Sequence, residues 1–116
     1  MPSLRLNVLA DVANMLIPDF PFIRRLEFSE SIAIEYDQVT GASYVAVPGS
    51  SILTAIQVVI LTADKNITVR TSGQTDAGSL IGADGLFLLF NCNLSAITVQ
   101  NNSGDTAHIT GLLMGA

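Results

Sequence analysis

Apolar and polar positions alternate along this chain in short runs, and no helical period is sustained. The longest apolar stretch, Ile52 to Leu61, carries no charge. Its apolar residues fall on both sides, Ile52, Ile56, Val58 and Ile60 against Leu53, Ala55, Val59 and Leu61. That pattern predicts a strand covered on both faces. Asp64, Lys65 and Asn66 interrupt it, and Ile67 and Val69 then alternate with Thr68 and Arg70, which predicts a half-wet strand and a central hairpin. Upstream, Leu26 to Ser29 leads into a strand over 31–37, where Ile32, Ile34 and Tyr36 oppose Ala33, Glu35 and Asp37. Tyr44 to Val47 reads as a short strand stopped by Pro48-Gly49. Downstream, Ser72 to Gly85 reads as a long loop whose Leu80 and Ile81 tuck inward, and Leu86 to Phe90 (LFLLF) as a strand buried on both faces. Ala96 to Gln100, a hairpin loop at Asn101 to Asp105 and a closing strand over 106–114 complete the series. In that last strand Ala107, Ile109 and Leu113 point inward, with Thr106, His108 and Thr110 outward.

The first 25 residues read differently. Leu4, Leu6 and Val8 alternate as in a strand, while Leu9, Val12, Ala13 and Leu16 keep helical spacing, so a short strand running into one or two helical turns satisfies both. Pro18-Asp-Phe-Pro-Phe22 is irregular, because each proline lacks an N–H and pushes its predecessor to extended geometry. Phe20 and Phe22 would dock either on the protein's own body or on a neighbouring subunit. The chain therefore divides into an arm, 1–25, and one domain, 26–116. About eight short strands joined by Gly, Pro and Asn turns make that domain all-β, a β-sandwich of jelly-roll type.

Composition adds a constraint. Charged residues make up 13% of the 116, where about 25% is usual, and 49% are hydrophobic. So little charge leaves much of the surface uncharged or apolar, as expected of a subunit covered in a larger assembly. The net charge is −5. The arm, with Arg5, Arg24 and Arg25, is slightly basic and the body acidic, which argues against a nucleic-acid partner. The N-terminus has no secretory-signal pattern, and the apolar run 52–63 is too short for a membrane helix.

Candidate chemistry is sparse. Cys92 is the single cysteine, flanked by Asn91 and Asn93 with no cation to activate it, so it reads as an inert thiol. His108 is the single histidine and has no nucleophile paired with it. Glu30, Glu35 and Asp37 form a solvated strand face and no glycosidase pair, which would need a cleft between its carboxylates. Asp76, Asp84 and Asp105 stand beside glycines as turn formers, with calcium as the lesser alternative. No catalytic site, cofactor or metal centre is expected.

Three stretches, RRLEFSESIAIEYDQ, VVILTADKNITVRTSGQTDAGSLIGADGLFLLF and ITVQNNSGDTAHITGLLMGA, together resemble small virion proteins of tailed bacteriophages. The likeness covers residues 24–116 in pattern and rests on structural motifs. Within that group the chain is most similar to capsid cement (decoration) proteins. The resemblance implies a structural role on the capsid surface and no enzymatic one. The major capsid protein would be the partner, and a homodimer or homotrimer would be seated at capsomer junctions. On this reading the arm supplies the candidate assembly contacts: Leu4, Leu6, Leu9, Val12, Leu16, Phe20, Phe22, Arg24 and Arg25. A tail, baseplate or fibre module and a carbohydrate- or receptor-binding module are the alternatives.

Overall fold

One nested hairpin, rolled over itself, accounts for the pairing of the body. The computed structural model describes residues 3–8, 22–75 and 77–116. Its strands are β1 (Ser3–Val8), β2 (Phe22–Glu27), β3 (Glu30–Gln38), β4 (Val45–Ala46), β5 (Ile56–Ala63), β6 (Ile67–Thr71), β7 (Ser79–Ile81), β8 (Leu86–Leu94), β9 (Ile97–Gln100) and β10 (Ala107–Gly115). β3 pairs with β10, β4 with β9, β5 with β8 and β6 with β7, all antiparallel, as in a single long hairpin. Rolling adds the β10–β5 and β9–β6 pairs. The result is two four-stranded sheets, β3-β10-β5-β8 and β4-β9-β6-β7, packed as a sandwich in jelly-roll order.

This order corrects two readings of the sequence. β5 and β6 lie in opposite sheets, so Asp64-Lys65-Asn66 is a corner and not a hairpin turn. The corner is held by side chains: Asp64 Oδ1 accepts the His108 N–H at 2.8 Å and Asn66 Oδ1 accepts the Ala83 N–H at 2.8 Å. Asn101 to Asp105 likewise carries the chain from one sheet to the other. Within the body only β6 and β7 are consecutive strands paired with each other, across a loop in which Gly73 has φ +79°. That loop is shorter than expected, because Ser79–Ile81 forms β7; Ile81 packs on the core as read, but Leu80 is exposed. Pro48-Gly49 makes a type II turn, with Gly49 at φ +83° and the Ser50 N–H donating to the Val47 carbonyl.

Between the sheets lie Ile34, Val59, Leu61, Ile109 and Leu113 from one side and Val47, Ile67, Val69, Ile97 and Val99 from the other, all buried. Each such side chain contributes about 1.5–3 kcal/mol of transfer free energy. Ala107, Ile109 and Leu113 point inward as the alternation of the last strand predicts. In the middle of this core, Gly111 sits between Ile34 on β3 and Leu61 on β5, where a Cβ would overlap the Ile60 carbonyl.

A bulge at the start of β5 changes which residues face inward. Between Ile56 and Val58 the register shifts against both β10 and β8, so Ile56 joins the inner cluster while Val58 turns outward. Ile56, Val58 and Ile60 therefore do not share a face, although simple alternation puts them together. Asn91, at φ +63°, sits on β8 opposite the same irregularity. β8 is an edge strand of its sheet, so LFLLF is not buried on both faces: Leu86 is exposed and residues 87–90 are half-buried. The bulge kinks an edge that would otherwise be flat and apolar.

β1 and β2 form a two-stranded sheet of their own. β2 begins at Phe22, which is therefore strand and not part of the irregular segment, and runs across the expected 25/26 division. The helical turns expected after the first strand fall at 9–21, outside the described residues.

Candidate assembly surface

The two outer faces of the sandwich differ in kind. On the β4-β9-β6-β7 sheet the outward positions are Thr98 and Gln100 of β9 with Thr68 and Arg70 of β6, an ordinary wet face. Arg70 lies over the Tyr44 ring at 4.0 Å, and the Tyr44 hydroxyl donates to the Ala77 carbonyl at 2.7 Å. A polar cleft of about 330 Å³ lies here, lined by Asn66, Thr68, Leu80, Gln100, Asn102 and Ser103.

The outer face of the β3-β10-β5-β8 sheet is apolar over half its length. Its register sets out four rows. Ser31, Met114, Val58 and Phe90 form the first, and Ala33, Leu112, Ile60 and Leu88 the second. Glu35, Thr110, Thr62 and Leu86 form the third, and Asp37 beside His108 the fourth. The face thus grades from hydrocarbon to hydroxyls to acids. Phe28, which precedes β3, is buried against Val58 and Met114, with Ile60, Phe90 and Leu112 packed around them. Leu86 is 61% exposed. Exposed apolar area on the outside of a sandwich is what interaction surfaces are made of.

At the open edge between β3 and β4 lies a further cleft of about 460 Å³, lined by Tyr36, Gln38, Val39, Val45 and Pro48 among others. Val39 and Val45 are exposed there. Burial raises the Tyr36 phenol to about 12, and its hydroxyl donates to Gln38 Oε1 at 3.2 Å.

Among the described residues the titratable groups stand apart from one another, except for His108 and Asp37. Among the described residues, no group of three or more His, Cys, Asp or Glu is placed to hold a metal ion. Asp84 stands in the β7–β8 turn with φ +60° and Asp105 in the β9–β10 connection, while Asp76 lies outside the described residues. Cys92 is half-buried, its thiol lies 3.4 Å from the Ile56 carbonyl, and burial raises its pKa. Glu35 and Asp37 share the outward face of β3, as alternation predicts.

His108 and Asp37, facing each other across β10 and β3, form an exposed pair with Nδ1 at 2.7 Å from Oδ1. The bond to Asp37 raises the imidazole pKa; desolvation opposes it, and the charges of Asp37, Glu35 and Asp64 add to the rise. A raised folded pKa means the folded state holds the proton more tightly. The pair's contribution is therefore complete below the unfolded histidine value and is lost as pH rises through the folded one. NMR titration of His108 should give a midpoint above the ordinary 6.5, moving down towards it in Asp37→Asn; an unmoved midpoint contradicts this.

Of the candidate assembly contacts, Leu4 and Leu6 fall on β1 and Phe22, Arg24 and Arg25 on β2. Leu9, Val12, Leu16 and Phe20 lie outside the described residues. The sequence reading assigns assembly to the arm and does not single out the outer face of the sheet. Part of its signal is the doubled apolar pattern of residues 86–90, which the sequence reading takes as burial on both faces. Among the described residues, no helix is long and apolar enough to cross a membrane. The chain matches no protein-family model, no curated protein and no solved structure.

Proposed function

We propose that this chain is a structural protein of a phage virion, a cement protein that binds the outside of the capsid at capsomer junctions and stabilises the shell. One observation carries the reading: the apolar half of the outer face of the β3-β10-β5-β8 sheet, where Leu86 is exposed and Ile60, Leu88 and Leu112 are half-buried at positions a free sandwich would give to polar side chains. The jelly roll is compatible with it, since capsid proteins use that architecture, as do lectins. Cementing needs no reactive centre. It needs a rigid module that touches several shell subunits through many weak contacts, so that avidity replaces any single strong site.

The test is occupancy on purified expanded shells. The full chain should bind to saturation, and a chain lacking residues 1–17 should lose at least about tenfold in apparent affinity through lost avidity. Full occupancy by the truncated protein contradicts the arm's part in binding, and failure of the full chain to bind shells contradicts the function. The polar cleft at Asn66, Gln100, Asn102 and Ser103 favours a second reading, a glycan-binding module, because amides and hydroxyls recognise sugar hydroxyls. Binding to a glycan array without binding to shells would select it.

A further inference from the structure

We infer that the polar cleft on the outer face of the β4-β9-β6-β7 sheet is a site for a single ring of a neutral sugar. The inference rests on reading that cleft as a binding site, and it names the ligand chemistry and the atoms that recognise it.

The register builds the cleft. Leu80 of β7 and Gln100 of β9 are both partners of Thr68 on β6, so the three form one outward row across the sheet. Two strand spacings make that row about 10 Å wide. Asn66 stands two residues before Thr68 and Asn102 two residues after Gln100, and both line the same cleft. Its volume of about 330 Å³ is at the small end for a ligand pocket, which suits one ring and not a chain.

The polar ends are set in advance. A backbone carbonyl pairs with an amide nitrogen, and Gln100 Nε2 donates to the Ala42 carbonyl at 2.7 Å. Gln100 therefore offers its oxygen, an acceptor, to a ligand. A backbone N–H pairs with an oxygen, and Asn66 Oδ1 accepts the Ala83 N–H at 2.8 Å. Asn66 thus offers its nitrogen, a donor. The Ser103 hydroxyl is taken by Asn101 Oδ1 at 2.7 Å, so it adds nothing to recognition. Thr68 and Asn102 can each donate and accept. Amides tied at one end lose little freedom when a ligand arrives.

This donor and acceptor set selects the ligand. A hydroxyl both donates and accepts, so neighbouring hydroxyls on one ring satisfy the Gln100 oxygen and the Asn66 nitrogen together. Among the described residues, none that lines the cleft is charged. An anion would meet the Gln100 oxygen with no cation to offset it, and a metal ion would find no carboxylate. Leu80, 72% exposed at the end of the row, gives the C–H face of a ring an apolar wall. The cleft and the apolar half-face lie on opposite sheets, so filling one does not block the other.

The full chain, isotopically labelled for NMR, is titrated with glucose, galactose and mannose into the tens of millimolar, and separately with N-acetylneuraminic acid. At least one neutral sugar should shift the side-chain amide signals of Asn66, Gln100 and Asn102 saturably, at about millimolar strength. A chelator should change nothing. Thr68→Val keeps the shape and removes a hydroxyl, and Asn102→Ala trims an exposed loop residue. Each should weaken binding about threefold to tenfold and leave the rest of the spectrum in place. The absence of a saturable shift with any neutral sugar overturns the inference. So does binding that both variants leave unchanged, or that the acidic sugar matches. Saturable shifts confined to another face overturn this cleft while leaving a glycan-binding module standing. Occupancy on shells, measured separately, decides the cement function in every case.

Discussion

Gly111→Ala is expected to destabilise the domain by about 3 kcal/mol, at the upper end of what overpacking a core costs. The added methyl would overlap the Ile60 carbonyl and press on Leu61 Cδ2 at 3.0 Å. Its first obstacle is backbone in the middle of β5, the strand both sheet neighbours depend on, so no rotamer change relieves it. For a domain of this size that loss lowers Tm by about 12 °C. Gly41→Ala is the matched control: nothing lies within 4 Å of its Cβ, and it should shift stability by less than about 0.5 kcal/mol. Thermal unfolding of the two variants decides the matter. Equal Tm values would show that β10 can move away from β5 and that the packing described is looser than stated.

Asn101→Ala is expected to cost about 3 kcal/mol, for a different reason. Asn101 is fully buried and uses its whole side-chain amide. Nδ2 donates to the Gln38 and Asp105 carbonyls, both at 2.8 Å, and Oδ1 accepts from the Ser103 hydroxyl at 2.7 Å and the Ser103 N–H at 3.2 Å. Its own carbonyl accepts from the Gly41 N–H at 2.8 Å, and Gln38 Nε2 donates to the Val99 carbonyl at 2.9 Å. One side chain thus ties the β9–β10 crossing to the end of β3. Removing it takes a donor from the carbonyl of the buried Gln38, while the Asp105 carbonyl keeps the Ser103 hydroxyl at 3.0 Å. Asn101→Asp should be at least as costly at neutral pH, because a carboxylate sets its lone pairs against those same carbonyls. Chemical denaturation of both variants tests this; a loss below about 0.5 kcal/mol would mean the loop holds without the network.

Much of the fold was legible in residue order because alternation reports directly on a strand with one wet face. Ile32, Ile34 and Tyr36 against Glu35 and Asp37 placed β3 and its outward acids, and the inward set of β10 followed from the same rule. What alternation does not report is which sheet a strand joins. Asp64-Lys65-Asn66 and Asn101 to Asp105 have the composition of hairpin turns, yet both are corners fixed by side-chain hydrogen bonds to distant backbone. A continuous apolar run is also ambiguous. In β5 it reflects a central strand buried on its inner face and, at Val58, on its outer face too, whereas in β8 it reflects an edge strand with an apolar outer face. The sequence alone could not separate these, and the second is the feature that points to assembly. The bulge at Ile56 and Val58 was invisible for a related reason, since nothing in the side chains announces a one-residue slip.

The account holds that this sandwich is built with one sheet face to be covered by a neighbour. The most direct measurement is an electron cryo-microscopy map of the intact particle at a resolution that places the chain. The proposed function predicts density for the chain on the outer shell at capsomer junctions, with Leu86, Leu88 and Leu112 covered by a neighbouring subunit. Density in which that face looks into solvent, or particles that lack the chain, would contradict it.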